Sequence, residues 1–194
     1  FRNVDVHPDS ADAATRTGLR LEPNSPRSLR AQSAAAQVRA QWDSALVYTQ
    51  EGLDRDPRAS TPWINKAALL MRLGRYPEAR IAADRGVQLA PNDPQLAEVR
   101  AMVELQAGDL AAARASLKRS QVDPVALAVY LSTYNDLYWA LPEADQDVVL
   151  RLPPSAFDDD RATWATVRAE IYAMRGDAAH TRIYADSARL GYLE

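Results

Sequence analysis

Small and apolar residues recur along this chain at a fixed interval, with polar residues between them. Alanine returns every 34 residues at Ala11, Ala45, Ala79 and Ala113, glycine at Gly18, Gly52 and Gly86, and proline at Pro23, Pro57 and Pro91. With the proline at position 32 of a 34-residue frame, position 8 holds Ser33, Ala67, Ala101 and Ala169, and position 15 holds Ala40, Gly74, Gly108 and Gly176. Several columns that share one period mark a repeat, and 34 residues is the length of a helix–turn–helix unit that stacks on its neighbours. Positions 20 and 27 lie seven apart, two turns along one helix face. Position 8 lies midway along the preceding helix, so small side chains at all three let the two helices of a unit approach closely. A glycine inside a helix costs about 1 kcal/mol relative to alanine. The column of Gly18, Gly52 and Gly86 therefore predicts a backbone contact that a methyl group would obstruct.

The turns fit the same frame. Gly74, Gly108 and Gly176 are placed to end a first helix in the left-handed conformation, which glycine adopts without a Cβ penalty. Asp109 and Asp177 follow directly and can cap the second helix. Pro77 stands in a first turn, where a missing N–H does no harm. Pro23, Pro57 and Pro91 fall just past the second helix and stop it.

The chain at this point resembles the tetratricopeptide repeat, whose signature is W-x2-L-G-x2-Y, then A-x3-F, then P. The best unit reads Trp63-x2-Lys66-Ala67-x2-Leu70, then Ala79-x3-Ala83, then Pro91. Trp63, Ala79 and Pro91 match, Ala67 keeps the small size, and Leu70 and Ala83 replace aromatics. The resemblance covers residues 10–124 and 160–190. It implies an all-α fold: a right-handed helical solenoid of antiparallel helix pairs, with about five repeats. The frame divides a single domain, 1–194, into a partial repeat 1–25, repeats 26–59, 60–93 and 94–127, a degenerate repeat 128–161, and a final repeat 162–194. Residues 10–22 read as a second helix whose first helix is absent, and the chain ends without a polar capping helix, so the expectation is a fragment of a longer protein.

Between Gln121 and Pro154 the pattern fades, with Asn135, Pro142 and Asp147 in the small columns. The register nevertheless returns in phase: Gly108 to Gly176 is 68 residues, twice 34. The middle is therefore a repeat of normal length, its first helix over about 125–140 and its second over about 142–151, stopped by Pro153 and Pro154.

Composition changes this picture little. The net charge of −3 gives no support for nucleic-acid binding or an anionic membrane surface. No apolar run approaches the ~18 residues of a membrane span. The absence of cysteine excludes disulfides and thiol chemistry and fits any compartment, so localisation stays undetermined with the cytoplasm as default. Two lysines, Lys66 and Lys118, among 23 basic residues suggest, with abundant alanine, a GC-rich bacterial genome.

No enzyme motif is present, and neither a cofactor nor a metal site is expected. His7 and His180 have no ligand spacing around them. The run Asp158-Asp159-Asp160 resembles the start of a calcium loop, but Thr163 stands where the sixth-position glycine belongs and Ala169 where the twelfth-position glutamate belongs. A helix N-cap is the better reading. Tyr130, Tyr134 and Tyr138, four apart, fall on one helix face and read chiefly as core.

Family resemblance places the binding surface on the first helices, at positions 2, 5, 6, 9, 12 and 13. Carried over, these include Arg30, Ala34, Gln37, Ile64, Asn65, Ala68, Met71, Arg72, Glu98, Met102 and Leu105, with Asp136 and Trp139 in the degenerate repeat. Met71, Met102 and Trp139 are expected apolar anchors, and Arg30 and Arg72 partners for carboxylates. The carboxylate clamp used by relatives that grip chaperone tails is not matched: Asn65 fills one place and Arg30 substitutes at another, but Ala34, Gln95 and Val99 break the rest. The expected function is a noncatalytic protein-interaction or scaffold module that binds a protein or peptide segment in the concave groove. The alternatives are a regulatory arm of a larger bacterial signalling protein, or a self-association module that forms homo-oligomers.

Overall fold

The computed structural model describes residues 20–135 and 137–191. Among them every regular element is helical: α1 (Pro26–Val38), α2 (Trp42–Arg55), α3 (Ser60–Arg72), α4 (Tyr76–Leu89), α5 (Pro94–Gln106), α6 (Leu110–Lys118), α7 (Pro124–Tyr130), α8 (Glu143–Arg151), α9 (Arg161–Met174) and α10 (Ala178–Gly191). A π turn (Leu131–Asn135) and two 3-10 turns (Tyr138–Ala140, Pro154–Phe157) complete the set. The chain divides into two compact units, Phe1–Leu89 and Ala90–Glu194. In the first, α1 pairs with α2 and α3 with α4, and α2 packs on α3. In the second, α5 pairs with α6 and α9 with α10, while α7 packs on α8.

The small columns do the packing expected of them. Ala45, Ala79 and Ala113 are fully buried, as are Ala67 and Ala101 of the facing column. Ser33, in that same column, keeps its hydroxyl satisfied by donating to the Ala45 carbonyl at 3.1 Å. The second unit has an apolar core in which Leu127, Leu131, Tyr138, Phe157 and Ile171 are buried together.

Helix ends follow local chemistry. Gly74, Gly108 and Gly176 have φ of 69°, 86° and 74°. At each, the following residue donates its N–H five residues back along the turn: Arg75 to Leu70, Asp109 to Glu104 and Asp177 to Tyr172, at 2.8–2.9 Å. This is the Schellman closure, which satisfies a carbonyl the helix leaves open. Asp109 then accepts from the Ala112 N–H and Asp177 from the His180 N–H. Asp160 accepts from Thr163 N–H, so the acidic run is an N-cap. Among the described residues no group of metal-ligating side chains gathers.

Two expectations change. A Cβ placed on Gly52 meets only the Leu29 Cβ, at 4.0 Å, which is ordinary contact and not obstruction. Gly18 lies outside the described residues. The first helix of the degenerate repeat also does not run from 125 to 140. It ends at Tyr130 and continues as the π turn and the 3-10 turn. Ser132 donates its hydroxyl back to the Ala128 carbonyl at 2.6 Å, and serine, threonine and asparagine hold a helix poorly. Breaking the helix lets Leu137, Tyr138 and Leu141 turn into the core. Tyr130 and Tyr138 consequently do not share one regular helix face, and the Tyr134 side chain lies outside the described set. The second helix, Glu143–Arg151, falls within the expected range.

Candidate partner-binding site

In the first unit, α1, α2, α3 and the α2–α3 loop enclose a cleft of about 80 Å³, lined by Pro26, Arg30, Ser33, Tyr48, Thr49, Gly52, Asp56, Ala59, Pro62 and Asn65. Two residues expected in the groove, Arg30 and Asn65, meet here from neighbouring repeats. Arg30 is exposed and Asn65 half-buried. Among the described residues neither side chain has a hydrogen-bond partner. Their polar groups are thus available to a ligand. Ser33 and Thr49 are both buried, and their hydroxyls lie 2.9 Å apart. Ser33 donates to Ala45, so Thr49 donates to Ser33 and the pair is satisfied without a ligand. Asp56 accepts from the Arg58 N–H at 3.3 Å.

The other expected residues of this unit divide by depth. Met71 is buried, with 8% of its surface exposed, and offers little to a partner. Arg72 is exposed, with its guanidinium 5.0 Å from the centre of the Trp42 ring. Lys66, nearby in sequence, donates to Gln50 at 2.6 Å and lies over Trp63. Burial pushes its ammonium below the usual lysine range, against the opposing pull of Asp54 and Glu78.

In the second unit, Met102 and Leu105 pack half-buried against the core. Burial raises the carboxyl of Glu98 above the usual range, opposed by a hydrogen bond from Tyr130. Trp139 is 37% exposed and stands on the rim of two open clefts of about 470 Å³ each. One is lined by Thr133, Tyr138, Thr163, Thr166, Val167 and Glu170. The other carries Arg114, Leu141, Pro142, Glu143, Gln146, Met174 and Arg175. The guanidinium of Arg175 is already engaged, by Asp147 at 2.6 Å and the Glu143 carbonyl at 2.9 Å. Asp136 lies outside the described residues, as does His7. His180 stacks on Tyr172 at 4.6 Å and sits 2.6 Å from an Asp177 oxygen, which makes it a link between α9 and α10.

Several lining residues escape the sequence reading. Tyr48, Thr49, Gly52 and Asp56 belong to a second helix and its end, outside the six groove columns. Thr163, Thr166, Val167 and Glu170 occupy positions 2, 5, 6 and 9 of the final repeat. Extending the same columns one repeat further finds them.

Residues 39–103 match the family model described as tetratricopeptide repeat. The chain is similar in structure to PilW, a widely conserved type IV pilus biogenesis factor, with 16% identity, a TM-score of 0.65, and coverage of 95% of this chain and 86% of that one. It is similar to pilF of Pseudomonas aeruginosa at 19% identity and TM-score 0.56, covering 91% and 80% of the two chains. It is also similar to MamA at 14% identity and TM-score 0.58, covering 86% and 91%. At these identities the likeness is one of fold. No curated protein sequence matches the chain.

Proposed function

We propose, for a chain that is a tetratricopeptide-repeat protein by fold and by the match over residues 39–103, a noncatalytic role: it holds an extended segment of a protein partner against the first helices of its repeats. Repeats of this family serve as protein-interaction modules, which fixes the general class. The observation that carries the reading is the convergence of Arg30 and Asn65, from two repeats, on one cleft where neither has a partner of its own. A guanidinium pairs with a carboxylate, and a primary amide can both donate to and accept from a peptide main chain. An extended segment offers both groups at once. No described helix is long and apolar enough to cross a membrane.

The test is retention of proteins from source lysate by the immobilised chain, compared with an Arg30→Glu/Asn65→Ala variant. Both positions are outside the buried core, so the variant keeps its fold, which circular dichroism and melting check. Proteins held by the native chain and released by the variant support the reading. The same set held by both refutes it. Met71→Asp is a poor probe, since it buries a carboxylate in the core.

A further inference from the structure

We propose that the space over Gly52 is a side-chain pocket that takes a branched aliphatic residue, of valine or leucine size, next to a carboxylate in the partner segment. The inference rests on the groove reading above and names what that groove selects. It begins with a glycine that the fold does not require. Gly52 lies inside α2 and is buried. An added Cβ meets nothing closer than Leu29 Cβ at 4.0 Å, and the backbone is not left-handed there. Alanine would fit and would stabilise the helix by roughly a factor of five in local equilibrium, the equivalent of about 1 kcal/mol. What the glycine leaves instead is room in the cleft that it lines.

The size and chemistry of that room define the occupant. Its volume of about 80 Å³ is roughly half the ~150 Å³ of a closed cavity that accepts a benzene ring, so a branched aliphatic group matches it better than an aromatic ring. Pro26, Ala59, Pro62 and the Tyr48 ring give it apolar walls. The Ser33 and Thr49 hydroxyls satisfy one another and Ala45, so an apolar occupant orphans neither. Arg30 supplies a cation with no partner among the described residues, while Asp56, the carboxylate in the same lining, accepts from Arg58 N–H. The complement is an aliphatic side chain with an acidic neighbour.

A random-dodecapeptide phage library selected on the full chain supplies the probe, and fluorescence anisotropy of the selected peptides measures binding to the native chain, Gly52→Ala and Arg30→Glu. The expected peptides carry Leu, Val or Ile beside Asp or Glu. Gly52→Ala weakens them about tenfold, the scale of one methyl group in a tight apolar pocket, while its melting temperature holds or rises. Exchanging the aliphatic residue for Phe weakens binding to the native chain by a similar factor. If Gly52→Ala lowers the melting temperature, or leaves unchanged the affinity of peptides that Arg30→Glu releases, the pocket is overturned and the groove reading stands. Binders indifferent to both substitutions, or no binders at all, overturn the groove reading and the pocket with it.

Discussion

The position-15 column allows a paired test of what stops the first helix of each repeat. Gly74 has φ 69° and Ala40, its equivalent one repeat earlier, has φ 55°. Both close their helices with the same bond, Arg75 N–H to the Leu70 carbonyl and Gln41 N–H to the Ala36 carbonyl, each at 2.9 Å. A Cβ on Gly74 would meet nothing within 4 Å, so the cost of a side chain there is conformational and not steric. The left-handed region costs a residue with a Cβ about 1–2 kcal/mol. The extra freedom of glycine in the unfolded chain returns about 0.4–1 kcal/mol of that. Ala40→Gly is thus expected to stabilise by about 0.5–1 kcal/mol, and Gly74→Ala to destabilise by the same amount. For a chain of this size that is roughly 1–4 °C of melting temperature in each direction. Because repeat arrays open locally, hydrogen exchange of the α1 and α2 amides reads the first change more directly than a global melt. Destabilisation by Ala40→Gly, or no effect of Gly74→Ala, would refute the assignment of this column to helix termination.

Two other outcomes follow from the second unit. Arg168 is buried, donates to the Leu152 carbonyl at 2.9 Å, and lies 4.5 Å from the Trp164 ring and 5.3 Å from Tyr184. Losing a charge-assisted hydrogen bond and two ring contacts is expected to cost about 3 kcal/mol in Arg168→Ala, read by urea unfolding. Arg168→Lys should not restore it, since an ammonium neither stacks nor forks. For Glu98, burial raises the carboxyl in the folded state, with the Tyr130 hydroxyl opposing. Its contribution to stability is therefore fully present below the unfolded pKa and is lost as pH rises through the folded one. Glu98→Gln should flatten the fall in urea midpoint over that window, and a native chain that gains on the variant as pH rises would contradict the burial argument.

What was legible in the sequence is what local chemistry decides. Gly74, Gly108 and Gly176 give helix ends because a left-handed residue is a backbone requirement that one residue type meets cheaply. Asp109 and Asp160 give helix starts because a cap needs only a short acceptor at one position. The break after Tyr130 was not legible, since it depends on Tyr138 finding a place in the core, which is tertiary. Depth was not legible either. Arg30 and Met71 stand in groove columns alike, yet one is exposed and the other buried. Periodicity assigns a face to a residue but not how far the neighbouring helix covers it.

The columns themselves separate scaffold from recognition. Position 20 holds alanine in Ala45, Ala79 and Ala113, all fully buried, where a small side chain lets the two helices of a repeat pack closely. Positions 5 and 6 hold Arg30, Ile64, Glu98, Ser132 and Thr166, then Ala31, Asn65, Val99, Thr133 and Val167. These change charge, size and polarity from repeat to repeat. Of these, Ile64, Val99 and Val167 are buried and belong to the packing, while Arg30 is exposed and Asn65 half-buried. Arg30 is the single cation in its column and Asn65 the single amide in its own, and they meet at the one cleft whose floor is a glycine. Under the proposed function, a partner that reads all three features would bind in only one register along the repeats. Choice of partner under that function is expected to follow Arg30 and Asn65, whereas substitution at the buried Ala45, Ala79 and Ala113, or at the buried Ile64, Val99 and Val167, is expected to alter stability.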